Sequence, residues 1–175
     1  MKRIFLIGYM GAGKTTIGKE LSKRMNLSFV DLDAYIEARY YKTVSRIFAE
    51  KGEEAFRKIE CNILREVATF ENVLISTGGG TPCFHNNMTF MNEAGKTVYV
   101  KVSPAELVKR LSPVKHTRPV LNGRSGADLL SFVSENLLKR TPYYMQATIV
   151  FDVETMDTEN DIHRSAQVLE KVLLQ

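Results

Sequence analysis

A glycine-rich segment near the start of the chain is the part of the sequence best suited to chemistry. Residues 8–15 read GYMGAGKT and satisfy the pattern G-x-x-x-x-G-K-[ST], directly after the apolar run 4–7. In this pattern, backbone N–H groups and the positive end of the following helix surround phosphate groups. Lys14 would reach the β- and γ-phosphates, and the hydroxyl of Thr15 would bind Mg²⁺. The segment therefore predicts a nucleoside triphosphate site, without showing whether the phosphate is transferred, hydrolysed or sensed.

Two carboxylates follow the second apolar segment of the chain. Asp31 and Asp33 are separated by one residue at the end of a predicted strand, 28–32. Ligands of open α/β sheets bind beyond the carboxyl ends of the strands, so both side chains are expected to face the binding crevice. One of them could hold Mg²⁺ through water, and the other could accept a proton from a substrate hydroxyl. For Asp33 the alternative is a structural role as the N-cap of the following helix.

Three glycines and two arginines could build a pocket for an anionic acceptor. Residues 78–80, after the apolar segment 73–77, would let a ligand approach the backbone closely, or they form only a flexible turn. The guanidinium groups of Arg57 and Arg140 could bind a carboxylate through two parallel hydrogen bonds. The alternatives are a solvated pair of Arg57 with Glu60 and a helix C-terminus complemented by Arg140. The residues taken alone favour these alternatives.

Apolar periodicity places these residues in an α/β protein. Strands are predicted at 3–7, 28–32, 73–76, 97–102 and 148–152. Helices are predicted at 14–25, at 53–70, at 128–140 (ending before Pro142) and from 157 to the end of the chain. Because strands alternate with helices, we expect a parallel sheet that is covered on both faces. The 175 residues contain no linker-like segment and predict one domain, 1–175.

The segment 112–126, SPVKHTRPVLNGRSG, has almost no helical or strand periodicity. It contains two prolines, two glycines and several basic residues. Long irregular segments inside a single domain are usually lids, binding loops or disordered segments. We expect a lid here because of the basic residues, and the alternative is a solvated surface loop.

Composition and motif content exclude several classes of protein. The net charge of +4 arises from 24 basic and 20 acidic residues without a dense basic run, which argues against nucleic-acid binding. The apolar runs are too short to cross a membrane. The two cysteines, Cys61 and Cys83, form no CxxC and indicate thiols in a reducing cytoplasm. The sequence contains neither the base-reading segment [NT]-K-x-D of a GTPase switch nor the Asp-Glu strand end typical of motor ATPases.

Six segments together resemble the shikimate kinase family, in that family's order and over nearly the whole chain. They read GYMGAGKTTIGKEL at 8–21, DLDAYIE at 31–37, FRKIE at 56–60, STGGGTP at 76–82, HTRPVL at 116–121 and KRTPYY at 139–144. The resemblance implies a three-layer P-loop kinase fold like that of the nucleoside monophosphate kinases, with a five-stranded parallel sheet and a mobile lid at about 112–126. It also implies transfer of the γ-phosphate of ATP to the 3-hydroxyl of shikimate, on the way to chorismate and the aromatic amino acids.

The resemblance also implies roles for individual residues. The ATP-binding positions of the family fall on Gly11, Ala12, Gly13, Lys14, Thr15, Thr16 and the lid residue Arg118. The substrate-binding positions fall on Asp33, Arg57, Gly79, Gly80 and Arg140, and the region of about 33–61 is the substrate-binding region. The Mg²⁺ positions are Thr15 and, through water, Asp31. The catalytic positions are Lys14, Asp33, which would contact the attacking hydroxyl, and Arg118, which would reach the transferring phosphates.

Two parts of the chain match the family pattern less closely. Arg110, before the lid, is carried over as an adenine contact, and His116 is expected on the lid surface. Residues 152–161 read DVETMDTEND and lack the arginine that family members often place near the adenine. Base contacts from this last stretch are therefore not carried over.

The expected partners are ATP with Mg²⁺ and shikimate, without nucleic acid or a membrane, for a cytoplasmic monomer. The nearest alternative is another kinase of the same fold, such as a gluconate or nucleoside monophosphate kinase. The Asp-x-Asp, the triple glycine and the two arginines argue against it. A nucleotide-binding switch or regulatory ATPase would need no acceptor pocket, so acceptor-dependent turnover separates these classes.

Overall fold

Five strands form one sheet in which all neighbours run parallel. The strands are β1 (Arg3–Ile7), β2 (Ser28–Asp31), β3 (Val73–Ser76), β4 (Lys96–Lys101) and β5 (Ile149–Asp152). Their order across the sheet is β2-β3-β1-β4-β5. β1 and β3 are almost continuously apolar because central strands of a parallel sheet are buried on both faces. The structure is a computed structural model that describes residues 2–113, 121, 123–153 and 156–175.

Helices flank the sheet and complete the three-layer P-loop kinase fold. In the described ranges they are α1 (Lys14–Met25), α2 (Leu32–Tyr40), α3 (Val44–Val67), α4 (Asn87–Ala94), α5 (Pro104–Leu111), α6 (Gly126–Tyr144) and α7 (Glu159–Leu174), with a short 3-10 helix at Thr81–Cys83. α1 packs against β1, β2 and β3, and α7 packs against α1. None of these helices combines the length and the apolarity needed to cross a membrane.

The sequence prediction is most accurate where the phosphate loop is attached. β1, α1 and β3 have the predicted bounds. β2 ends one residue earlier than predicted, because α2 already begins at Leu32. This early start places Asp33 in the first turn of α2 instead of at the end of the strand.

The helix predicted at 53–70 covers only the second half of α3, which ends at Val67. The helix begins at Val44, after an N-cap Thr43 whose side chain accepts a hydrogen bond from the N–H of Arg46. It is kinked at Gly52, where φ is 78° and ψ is 170°. Residues other than glycine rarely adopt that conformation. The kink interrupts the helical periodicity, which is why the sequence predicted a helix only after it.

The helix predicted at 128–140 is α6, and the prediction that it ends before Pro142 was wrong, because it continues to Tyr144. Proline removes one backbone hydrogen bond, and near a helix end that cost is modest. The last turn is held by Tyr144, which is fully buried and packs its ring 5.0 Å from that of Tyr99. The Tyr144 hydroxyl also donates to the carbonyl oxygen of Gly79. Tertiary packing therefore outweighs the local signal of the proline.

The carboxyl ends of β1, β2 and β3 meet at one edge of the sheet. The phosphate loop follows β1, Asp31 ends β2, and the glycine segment 78–80 follows β3. The three segments with predicted binding or catalytic residues therefore lie together at this edge. Most of the predicted lid at 112–126, with Arg118 and His116, lies outside the described residues.

Candidate active site

The phosphate loop is closed by its own lysine. Lys14 Nζ donates to the carbonyl oxygens of Gly8 at 2.8 Å and Tyr9 at 3.0 Å. Gly13, the residue before α1, has φ 89°, a left-handed conformation that favours glycine. The turn at Gly13 leads directly into α1, whose first N–H groups form the positive end of the helix. This arrangement can hold an anion, with the ammonium group of Lys14 beside it.

Thr15 and Asp31 place oxygen atoms next to the phosphate loop. Thr15 Oγ1 donates to Asp31 Oδ2 at 2.7 Å and lies 3.5 Å from the hydroxyl oxygen of Ser76. The other carboxylate oxygen of Asp31 accepts a hydrogen bond from the N–H of Ala34 at 3.2 Å. Asp31 is therefore the N-cap of α2, and the alternative that gave this role to Asp33 was wrong.

Asp33 instead lines the cleft beside the phosphate loop. Burial, together with the negative charges of Glu60 and Asp31, raises the pKa of Asp33 to about 6, and Lys14 opposes the rise. A carboxylate with such a pKa is still ionised near pH 7, yet it binds a proton more readily than an ordinary aspartate. This is the property expected of a general base.

Arg57 is buried and its charge is balanced by carboxylates of its own helix. Arg57 Nη1 donates to Glu60 Oε2 at 2.9 Å, and Nη2 donates to Glu53 Oε1 at 3.2 Å. Its guanidinium also lies 4.3 Å from the centre of the Phe84 ring. The pair with Glu60 that we gave as an alternative does form, but in the interior and not on a solvated face, since Glu60 is 1% exposed.

Glu60 is a buried polar residue of this region that the sequence analysis named only as a solvated partner of Arg57. Besides holding Arg57, it accepts a hydrogen bond from Thr81 Oγ1 at 2.6 Å. Glu60 lies on the same helix face as Phe56, Ile63 and Leu64, which are all buried. An acidic residue at an apolar position of an amphipathic helix was the signal that could have identified it.

The glycine segment 78–80 brings backbone close to the charged side chains. A methyl group added at Gly80 would come within 2.5 Å of the Arg57 guanidinium. One added at Gly79 would lie 3.4 Å from Arg140 Nη1, and one at Gly78 would lie 3.0 Å from carboxylate oxygens of both Asp33 and Glu60. Side chains at 78 and 80 would displace these groups. The segment therefore joins Asp33, Arg57 and Arg140 into one neighbourhood.

Arg140 differs from Arg57 in what surrounds it. Its guanidinium carbon lies 5.3 Å from the centre of the Tyr9 ring. Among the described residues no carboxylate forms an ion pair with it. Arg140 is also four residues from the end of α6, whose last turn contains no basic residue, so the alternative of a helix C-terminus complemented by Arg140 was wrong.

Most of the predicted site residues line a single cleft of about 360 Å³. The predicted residues on its wall are Gly11, Gly13, Lys14, Thr15, Thr16, Asp31, Asp33 and Gly79. Ala12 is buried behind this wall, and Gly80, Arg57 and Arg140 lie next to Gly79 and do not line the cleft. Arg118 lies outside the described residues. The cleft thus connects the phosphate loop with the edge of the neighbourhood that holds the two arginines.

Arg110 and Met156 line the end of the cleft nearest α5. Arg110 Nε donates to Glu106 at 2.8 Å and its Nη1 donates to the carbonyl oxygen of Ala12 at 3.3 Å, whereas its Nη2 is buried without a partner in the described structure. Met156 extends over Gly13, so closely that a methyl group there would overlap it. A guanidinium and a thioether provide flat and apolar surfaces on which a nucleotide base can stack.

The donors available for a divalent cation are oxygen atoms. In the described ranges no group of three or more His, Cys, Asp or Glu side chains is arranged to hold a metal by itself. Thr15 and Asp31 nevertheless lie together on the cleft wall. This set fits Mg²⁺, which usually takes one or two protein ligands and completes its shell with water and substrate phosphates.

A family model, a relative and two solved structures point to the same family. The family model described as shikimate kinase matches residues 10–173. A shikimate kinase from Parabacteroides distasonis is 65% identical over 173 residues, which is 99% of this chain and 100% of that protein. The crystal structure of a shikimate kinase from Bacteroides thetaiotaomicron superposes with a TM-score of 0.96 at 49% identity over 99% of both chains. A shikimate kinase from Acinetobacter baumannii in complex with shikimate gives a TM-score of 0.86 at 28% identity, covering 99% of this chain and 93% of that one.

Proposed function

The chain belongs to the shikimate kinase family, and from this premise we propose how its cleft carries out the reaction. The enzyme transfers the γ-phosphate of ATP to the 3-hydroxyl of shikimate and releases ADP and shikimate 3-phosphate. This reaction is a step towards chorismate and the aromatic amino acids. The observation that carries the proposed arrangement is the single cleft in which the phosphate loop, Asp33 and Gly79 meet.

The phosphate loop and Asp33 supply the chemistry at the reacting atoms. The backbone N–H groups of 11–16 surround the phosphates of ATP, and Lys14 leaves its carbonyl partners to neutralise the charge on the β- and γ-phosphates. Asp33 accepts the proton of the attacking hydroxyl. Its raised pKa supports this role, because the carboxylate is ionised at neutral pH and ready to be protonated. Phosphoryl transfer depends mainly on such positioning and charge neutralisation.

Arg57 and Arg140 bind the carboxylate of shikimate from two sides, next to the backbone of Gly79 and Gly80. Proximity supports this role, because each arginine lies against one of these glycines. Arg57 is held rigidly by Glu60, so the substrate meets a fixed donor. Arg118 reaches the transferring phosphates from the lid, as its position in the family pattern implies.

Thr15 and, through water, Asp31 would hold Mg²⁺ together with the phosphates of ATP. The contact between Thr15 and Asp31 at the cleft wall supports this assignment. When bound, the ion neutralises charge on the phosphates during transfer. We further propose one domain over 1–175, a monomer that acts in the cytoplasm, and no nucleic acid or membrane as a partner. The unpaired thiols of Cys61 and Cys83 support the cytoplasmic location.

We expect ADP release from ATP and Mg²⁺ to rise by about 10²-fold or more on addition of shikimate, because hydroxyl activation by a positioned base typically contributes that much. A coupled assay for ADP measures the rate with shikimate, gluconate, a nucleoside monophosphate or no acceptor. Stimulation by gluconate or the nucleotide instead of shikimate would overturn the proposed acceptor. A rate of ADP release that none of these acceptors changes would indicate a regulatory ATPase.

Asp31→Asn is expected to raise the Mg²⁺ concentration for half-maximal rate by about tenfold, within the range for losing a group that orients a metal. Asparagine is an equally good N-cap, so its carbonyl oxygen keeps the bond from Ala34, while its amide nitrogen can no longer accept the hydrogen bond of Thr15. The measurement is a Mg²⁺ titration of the rate at saturating ATP and shikimate. Asp152→Asn is the matched control, since Asp152 ends β5 and pairs with Lys101 away from the cleft wall. Equal shifts in both variants would contradict the metal role of Asp31.

A further inference from the structure

The two arginines assigned to the substrate carboxylate are held by different kinds of groups. Arg57 is fixed by two carboxylates and by surrounding aromatic rings. Arg140 is partly buried, and no carboxylate in the described residues forms an ion pair with it. Its charge is therefore available to a ligand anion. A long side chain without an ion pair also has many rotamers, so something else must keep its guanidinium in place.

The aromatic ring of Tyr9 lies under this guanidinium. The ring centre is 5.3 Å from Arg140 Cζ, within the range of a cation–π contact. Tyr9 is 2% exposed, so the contact is formed away from bulk water. The backbone of Tyr9 is itself fixed, because its carbonyl oxygen accepts a hydrogen bond from the N–H of Ala12 at 3.2 Å, which does not depend on Lys14. The ring is thus a rigid surface for Arg140.

The hydroxyl group of Tyr9 does not explain why a tyrosine is buried here. It is buried without a hydrogen-bond partner in the described structure. A hydroxyl in that state is unfavourable. Tyr144, in contrast, uses its hydroxyl, which donates to the carbonyl oxygen of Gly79 and also has a side-chain hydrogen bond with Arg140. The contribution of Tyr9 to this neighbourhood is therefore its ring.

We propose that Tyr9 is a positioning residue of the acceptor site, whose ring holds Arg140 in the orientation that binds the shikimate carboxylate. The inference rests on the proposed role of Arg140. It gives one segment of the chain two tasks, since the backbone of the phosphate loop faces ATP while the side chain of Tyr9 supports the site for the other substrate. The known phosphate-binding pattern, in which position 9 is any residue, assigns nothing to this side chain.

Tyr9→Leu is expected to raise KM for shikimate about five- to tenfold, the range of a partly desolvated cation–π contact, with kcat and KM for ATP changed less than about twofold. Tyr9→Phe keeps the ring and is expected to retain the native KM for shikimate. Steady-state kinetics with each substrate varied in turn provide these values, and thermal unfolding shows whether each variant is folded. A Tyr9→Phe variant as impaired as Tyr9→Leu would overturn the proposal, since the hydroxyl would then be required.

A double-mutant cycle with Arg140→Ala separates an effect through Arg140 from a general change of cleft shape. In the Arg140→Ala background, Tyr9→Leu is expected to change KM for shikimate less than about twofold, because the group that it positions is absent. The same five- to tenfold increase in both backgrounds would contradict the inference. The unsubstituted protein is measured alongside, and a failure of shikimate to stimulate its turnover would overturn the proposed function itself. Normal stimulation of the unsubstituted protein together with an unchanged KM for shikimate in Tyr9→Leu would overturn only the role of Tyr9.

Discussion

Replacing Asp33 by asparagine is expected to lower kcat by about 10²-fold or more, the loss typical of removing a general base. The carboxylate that accepts the proton is lost, while the size of the side chain is kept. The change leaves α2 intact because Asp31, and not Asp33, is the N-cap. Steady-state rates at saturating ATP and shikimate measure the effect. Asp128→Asn is the matched control, since Asp128 lies in the first turn of another helix, α6, and its exposed side chain pairs with Arg124.

The same substitution is expected to stabilise the protein at neutral pH. The pKa of Asp33 is about 6 in the folded protein against 3.8 as the ordinary value, so folding favours its protonated form. The stability associated with the protonated carboxyl group is fully present below pH 3.8 and is lost as pH rises through 6. At pH 8, the free energy of unfolding of Asp33→Asn should therefore exceed that of the unsubstituted protein by about 1–2 kcal/mol. This value is smaller than the full pKa difference implies, because water in the cleft screens the charge of Asp33.

Urea unfolding at several pH values tests the sign of this effect. The stability difference between Asp33→Asn and the unsubstituted protein should be constant above pH 7 and shrink as pH falls through 6 towards 4. Over the same range, kcat/KM of the unsubstituted enzyme should decrease with an apparent pKa near 6. A variant with nearly normal kcat would restrict Asp33 to binding the substrate, and a variant that is less stable at pH 8 would contradict the raised pKa.

The parts of the site that follow from local pattern could be predicted from the sequence. The phosphate loop needs glycine, lysine and threonine at fixed spacing between a strand and a helix. Residues 8–16 could therefore be predicted from this pattern alone. The parallel sheet followed from alternating strands and helices, and it brings 31–33 and 78–80 to one edge. The resemblance of six segments to the shikimate kinase family then led to the prediction of the acceptor and the reaction.

The parts that depend on tertiary contacts could not be predicted. The spacing of Arg57 and Glu60 indicates that they pair, but not that the pair lies against the glycine segment 78–80. Nothing local shows that the ring of Tyr9 lies under a guanidinium from a helix more than a hundred residues away. Pro142 indicated the end of a helix, but α6 continues past it because Tyr144 packs against Tyr99. The N-cap role that was the alternative for Asp33 belongs to Asp31, because α2 begins directly at the end of β2. In each case the environment, and not the residue type, decided the outcome.

Arg140→Ala is expected to raise KM for shikimate by about 10²-fold, because it removes charge-assisted hydrogen bonds to the carboxylate that together contribute about 3 kcal/mol. KM for ATP should change less than about twofold, since the partner of Arg140 is the other substrate. Kinetics with each substrate varied in turn, together with calorimetric titration of shikimate, provide the measurement. Lys139→Ala is the matched control, as its exposed side chain precedes Arg140 on the same helix.

Arg57→Ala is expected to behave differently, although both arginines are assigned to the same carboxylate. Removing Arg57 leaves Glu60 buried without its cation, and breaking such a buried pair typically costs about 3–5 kcal/mol of stability. Arg140 has no ion pair in the described structure, so Arg140→Ala should unfold within a few degrees of the unsubstituted protein. Thermal unfolding separates the two cases. Equal destabilisation by both variants, or an equal loss of ATP and shikimate affinity in Arg140→Ala, would show that Arg140 supports the fold and not the substrate.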